Sequence, residues 1–123
     1  MGEVRADLTL TNLFNRQSVS VHALVDTGAT HMFVTEEVAR ALGFDTEEVH
    51  RKHIITADGR RFEAPCIGPL EIGFEDRKMQ FQAFVLGDEC LMGQIPLEGM
   101  DLLVDPGARR LVGKHPGGEL FRI

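Results

Sequence analysis

Along much of this chain the apolar residues fall on every second position. Val4, Ala6, Leu8 and Leu10 alternate with polar neighbours, as do Val19, Val21, Ala23 and Val25, and Met79, Phe81, Ala83 and Val85. Leu70, Ile72 and Phe74 make a shorter run of the same kind. A strand turns successive side chains to opposite faces, so a period of two buries one face and wets the other. These stretches therefore exclude a helical fold. Turn-forming residues punctuate them. One turn is expected within 12–17 and another at Glu75-Asp76. Asp58-Gly59, between Ile54-Ile55-Thr56 and Phe62, reads as a hairpin. Asp105-Pro106-Gly107 reads as a tight turn between Leu102-Leu103-Val104 and Leu111-Val112.

One helix is clearly marked. Thr35 is placed to cap its start, and Glu36 and Glu37 sit in the first turn, where the helix dipole favours acid. Val34, Val38, Ala41 and Leu42 recur at helical spacing, and Gly43 supplies the stop. A shorter helical turn is expected over 95–98, ending near Gly99. The expected fold class is mainly β: a closed or partly closed β-barrel with one clear α-helix and a hairpin that projects as a flap.

Length and charge bound what such a fold can do. With 123 residues, the chain is expected to form a single domain over 1–123. Two full lobes do not fit, so chemistry that needs two equivalent halves must draw one of them from a second chain. The net charge is −6, and short basic pairs such as Arg60-Arg61 and Arg109-Arg110 make no patch, which disfavours nucleic acid as a partner. No apolar run approaches the roughly 20 residues of a membrane span, so no membrane partner is expected. The opening residues 1–7 lack the long apolar segment of a signal peptide. Cys66 and Cys90 are accordingly expected as reduced, buried thiols in a cytoplasmic protein.

The chemistry centres on Leu24-Val25-Asp26-Thr27-Gly28-Ala29-Thr30. An apolar strand ends in a carboxylate, which is costly there unless paired or hydrogen-bonded. Thr27 and Gly28 follow with a hydroxyl and a permissive backbone. Asp, Thr and Gly are all turn formers, so the tripeptide alone also fits a plain turn. A second segment, Cys90-Leu91-Met92-Gly93-Gln94, places an apolar pair before a glycine, with a helical turn behind it.

Together these residues resemble the retropepsin-like aspartic proteases. Val25-Asp26-Thr27-Gly28-Ala29, the hairpin around Asp58-Gly59, and Leu91-Met92-Gly93 stand in the family's order and spacing. The stretch over 93–106 resembles a subgroup of small bacterial members. The resemblance implies a homodimeric aspartic endopeptidase, with Asp26 of each of two chains activating a water against a peptide or protein substrate. It implies that Thr27 braces the two loops across the dimer axis, and that Gly28 and Ala29 let substrate approach. It implies a flap at Thr56, Ala57, Asp58, Gly59 and Arg60, and support of the active loop by Leu91, Met92 and Gly93. No cofactor and no metal are implied. There are departures from the family pattern. The flap tip is charged and holds a single glycine, and Gln94 stands where many members carry a charged residue. Viral relatives interdigitate a terminal strand, for which 120–123 is the candidate here, behind a Pro-Gly-Gly segment. The alternative reading is a non-catalytic peptide-binding or dimerisation module of the same fold.

The histidines carry less. His50 and His53 could share a helical face at i, i+3, but no cysteine or acidic motif completes a zinc site, so solvated surface is expected. His31 follows the Asp26 loop closely and could tune its charge, but a polar residue on an exposed turn is the expected reading. No glycine-rich phosphate loop is present.

Overall fold

A computed structural model describes residues 3–56 and 58–115. Ala57 of the expected flap and the expected terminal strand over 120–123 lie outside the described residues. The first two alternating runs form β1 (Arg5–Asn12) and β2 (Ser18–Val25), paired antiparallel from Arg5 opposite Leu24 to Thr11 opposite Ser18. Ala6, Leu8, Leu10, Val21 and Ala23 all turn inward, as a period of two requires. The turn between the strands is closed by Asn12, whose N–H donates to Gln17 O at 2.9 Å and whose carbonyl accepts from Arg16 N at 2.8 Å.

The chain then makes β3 (Met32–Val34), a short strand that was not expected. Val34 ends this strand and does not begin the helix. Helix α1 (Glu36–Ala41) follows, capped by the Thr35 hydroxyl, which accepts from Val38 N at 3.1 Å. Ala39 and Leu42 are the buried helical positions, and Ala41 faces solvent. At 100° per residue, Ala39 and Leu42 share the inner face, whereas Ala41 is turned away from it. Gly43 stops the helix at φ +87°.

The remaining elements are β4 (Arg51–Ile55), β5 (Arg61–Phe74), β6 (Arg77–Val85), β7 (Leu91–Met92), α2 (Gln94–Gly99), β8 (Leu102–Asp105) and β9 (Arg110–Gly113). His53 lies in β4 and His50 just before it, so the shared helical face does not exist. Along a strand a step of three reverses faces. The strand pairings run β1–β2–β7–β3–β6–β5 and return from β5 to β1, which is a partly closed barrel. β5 is long enough to serve twice. Its first residues pair with β4 as a projecting hairpin, and its later ones pair with β6 and β1 in the wall. β8 and β9 form a separate hairpin, with Leu102 and Leu111 packed into the core.

That core is one continuous cluster inside the barrel, including Leu8, Leu10, Ile72 and Met92. A smaller cluster lies outside it, under the β4–β5 hairpin, and holds Ala64, Cys66 and Phe84 with Phe33 and Ile54 packed on them. Each fully buried large side chain contributes about 1.5–3 kcal/mol, so the larger cluster dominates stability. The smaller one shapes the surface beneath the hairpin. Among the described residues, no helix is long and apolar enough to cross a membrane.

Candidate active site

Two elements hold the Asp26 loop. β2 runs parallel to β7, with Val25 opposite Met92, and the Asp26 N–H donates to Met92 O at 2.9 Å. The strand thus continues by one bond into the aspartate and then turns. The Gly28 N–H donates to Asp26 Oδ1 at 2.9 Å, and the Ala29 N–H donates to Asp26 O at 3.1 Å. The carboxylate is therefore oriented by backbone amide, and it stays half-buried at the surface of the barrel.

The Leu91-Met92-Gly93-Gln94 segment closes the loop from behind. Gln94 N donates to Ala29 O at 2.9 Å, Ile95 N donates to Thr30 O at 2.8 Å, and the Gln94 side-chain amide donates to Thr27 O at 3.0 Å. Gln94, the departure from the family's charged residue, thus braces the loop of its own chain. Gly93 is required by proximity. A Cβ there would meet the carbonyl oxygens of His31 and Ala29, the latter at 2.7 Å.

A cleft of about 620 Å³ opens over this loop. Asp26, Gly28, Ala29 and Thr30 line one side, and Ile54, Ile55 and Thr56 of the β4–β5 hairpin line the other. The structure therefore brings the Asp26 loop and the hairpin together across one cavity. Thr27 is exposed beside it. Leu91, Met92 and Gly93 lie behind the loop, with Met92 fully buried. Asp58, Gly59 and Arg60 do not line the cleft; they form the exposed tip of the hairpin.

The tip is an ordered turn. Gly59 N donates to Thr56 O at 2.9 Å, Thr56 N donates to Arg60 O at 2.9 Å, and Gly59 takes φ +85°. Asp58 accepts from the Thr56 hydroxyl and pairs with Arg60 Nε at 3.0 Å. Hydrogen bonds from the Thr56 hydroxyl, then from the Arg60 backbone and side chain, hold the Asp58 carboxyl below its ordinary value. Burial pushes both cysteine thiols up, which favours the protonated form of Cys66 and Cys90. Among the described residues, no group of three or more metal-binding side chains comes together.

His31, Phe33, His53 and Phe84 also line the cleft, and none of them was expected there. His31 is half-buried, with its ring edge-on to Phe84 at 5.1 Å, so it is no mere exposed turn residue. A signal for one of the four, Phe84, was present in the alternation over 79–85, and the strand register explains Phe33 as well. Met32 and Val34 face the core, so the apolar Phe33 between them must face elsewhere, and Phe84 stands in the same relation to Ala83 and Val85. Phe33 and Phe84 are directly paired across β3 and β6.

Known proteins share this fold. Residues 12–105 match the family model described as "gag-polyprotein putative aspartyl protease". The fold is similar to that of a retropepsin-like aspartic protease from Rickettsia conorii, with a TM-score of 0.63 and 24% identity, over 85% of this chain and 77% of that one. It is also similar to that of EIAV protease in complex with the inhibitor HBY-793, with a TM-score of 0.61 and 16% identity, over 79% and 86% of the two chains. No curated protein sequence matches. At these identities the two structures establish a retropepsin-like fold. The family match takes in the Asp26 loop, the hairpin and the Leu91-Met92-Gly93 segment alike, and on that ground the chain belongs to this aspartyl protease family.

Proposed function

We propose that this protein is a homodimeric aspartic endopeptidase in which each chain supplies one catalytic Asp26. The observation that carries the reading is the cleft itself. It is roofed by a hairpin, floored by Asp26, and, among the described residues, lined by no second carboxylate.

Aspartic proteolysis needs two carboxyl groups about 3 Å apart, which share one proton because both cannot ionise at that distance. One carboxylate takes a proton from a bound water as the water adds to the peptide carbonyl carbon. The other carboxyl protonates the carbonyl oxygen. The C–N bond then breaks, and the amine leaves with a proton from the dyad. A two-fold axis passing beside the exposed Thr27-Gly28 loop provides the second Asp26 from an identical chain. Closure of the β4–β5 hairpin over a bound peptide keeps bulk water from the reacting atoms.

The test is Asp26→Asn, with peptide cleavage and thermal unfolding measured on the same preparation. Cleavage should fall by roughly 10²- to 10⁴-fold or more, the range for removing a general acid or base. The unfolding midpoint should hold, because the loop's backbone bonds survive. Undiminished cleavage by this variant would remove the reading. A wild-type protein that binds peptides and never cuts them would favour a non-catalytic binding module.

A further inference from the structure

The cleft does not end at the Phe84 ring. His31 and Phe84 also bound a second recess, of about 320 Å³, completed by the apolar Met32, Phe81 and Ile95 and by Lys52 and Gln82. Its wall adds polar groups to that apolar surface. Lys52 Nζ donates to Gln82 Oε1 at 2.9 Å. An ammonium has three protons to give, so two remain. The Gln82 carbonyl also accepts from Cys66 Sγ at 3.5 Å, which leaves its NH₂ group to donate. The His31 ring rests edge-on against Phe84 and makes no hydrogen bond to a described residue.

Among the described residues, no carboxylate lines the recess. Several donors, one of them cationic, thus gather on the polar part of its wall. The surrounding hairpin has the same bias. Residues 51–65 include Arg51, Lys52, Arg60 and Arg61 against the acids Asp58 and Glu63, in a chain of net charge −6. Arg60 is engaged with that Asp58, and Arg51, Lys52 and Arg61 leave the hairpin positive.

We propose that this recess is a specificity subsite for an acidic side chain of the peptide substrate, selected by Lys52 and His31. The proposal rests on the peptidase reading above. Charge-assisted hydrogen bonds from Lys52 and the recess donors offset the desolvation that would exclude a carboxylate from a purely apolar pocket. In a symmetric dimer the recess occurs once on each side of the scissile bond. The preference therefore falls at two substrate positions related across the cut.

The experiment uses peptide sets in which each position around the cut carries Glu, Gln or Lys in turn. The wild type should cut the Glu peptide roughly fivefold better than the Gln peptide at the two related positions, the upper end of what one exposed ion pair gives. The difference should appear in KM more than in kcat. Lys52→Gln and His31→Asn should each bring the Glu-to-Gln ratio toward one. Lys52→Glu should turn the preference to Lys. Equal rates for Glu and Gln at every position, or a Glu preference that survives in the Lys52→Gln, His31→Asn double variant, would overturn the subsite while the peptidase stands. If no peptide is cut, the peptidase reading fails by itself. The affinities of the Glu and Gln peptides, measured by fluorescence anisotropy, then decide the subsite separately: tighter Glu binding supports it and equal binding overturns it.

Discussion

A side chain at Gly93 would press on backbone, not on side chains that can swing away. The atoms it would meet belong to His31, Ala29 and the Thr30 carbonyl carbon, all in the chain that follows Asp26. Overpacking against groups that cannot yield costs about 1–3 kcal/mol or more. Gly93→Ala is therefore expected to lower the free energy of unfolding by at least about 2 kcal/mol and to displace the Asp26 loop, so that stability and cleavage fall together. Urea unfolding beside a peptide assay checks this, and an unchanged midpoint would contradict it. Gly28 differs, because a Cβ there would touch only Asp26 Oδ1, at 3.2 Å. Asp26 and Gly93 were legible as a pair because both signals are local: a carboxylate at a strand end, and a glycine after two apolar residues. His31 and His53 were not legible. Whether a polar residue near a turn faces solvent or a cleft depends on the strand register, and on a hairpin that folds back over it from elsewhere in the chain.

Among the elements, the β5–β6 turn, the end of α2 and the end of β9 are tied at one residue, Asp101. It is buried, stands at φ +57°, and pairs with Arg77 at 3.5 Å and His115 Nδ1 at 2.8 Å. Its backbone carbonyl also accepts from Arg77 and from Lys114 N, each within 3.0 Å. Burial pushes the Asp101 carboxyl up, but hydrogen bonds from the His115 side chain and backbone, with the Arg77 guanidinium, outweigh it and hold the carboxyl below its ordinary value. A carboxyl depressed in the folded state adds stability that is fully present above its unfolded pKa, about 3.9, and is lost as pH falls through the folded value. Asp101→Asn keeps the shape and tolerates the left-handed backbone. It should unfold at lower urea than the wild type at neutral pH, with the gap closing as pH falls below 4. A gap of constant size across that range would mean that the charge is not what ties these elements. No local pattern pointed to this site, because its partners lie 24 and 14 residues away. The elements themselves were more legible. The alternating runs became β1, β2, β5 and β6, and Thr35 caps α1 as its chemistry requires. β3 escaped because three residues are too few to show a period. Asp58-Gly59 did mark the hairpin, but only Gly59 takes positive φ, so a longer loop replaces the two-residue turn that needs it at both positions.

Between molecules, the central quantity is one cleft carboxylate per chain among the described residues. If each chain supplies half of the catalytic pair, cleavage per chain must fall on dilution, because a monomer holds no dyad. Charge sets how steeply. Two copies of net charge −6 repel one another as they approach, and the positive hairpin offsets only part of that repulsion. The screening length falls from about 30 Å at 0.01 M salt to about 8 Å at 0.15 M. Repulsion between whole molecules acts over the longer distance and is largely removed at the shorter one. The hydrophobic and hydrogen-bonded contacts of an interface act at close range and lose little. Salt should therefore tighten the dimer, and the protein concentration at half-maximal cleavage should move downward by several-fold between those two ionic strengths. Sedimentation equilibrium should move with it on the same samples. The converse result is equally informative. A dimer that weakens with added salt would place a complementary contact at the interface, with the basic hairpin of one chain against the acidic surface of the other, as the dominant electrostatic term. Cleavage per chain independent of concentration down to the monomer would exclude a shared dyad altogether, since among the described residues a single copy brings only the Asp26 carboxylate to the cleft.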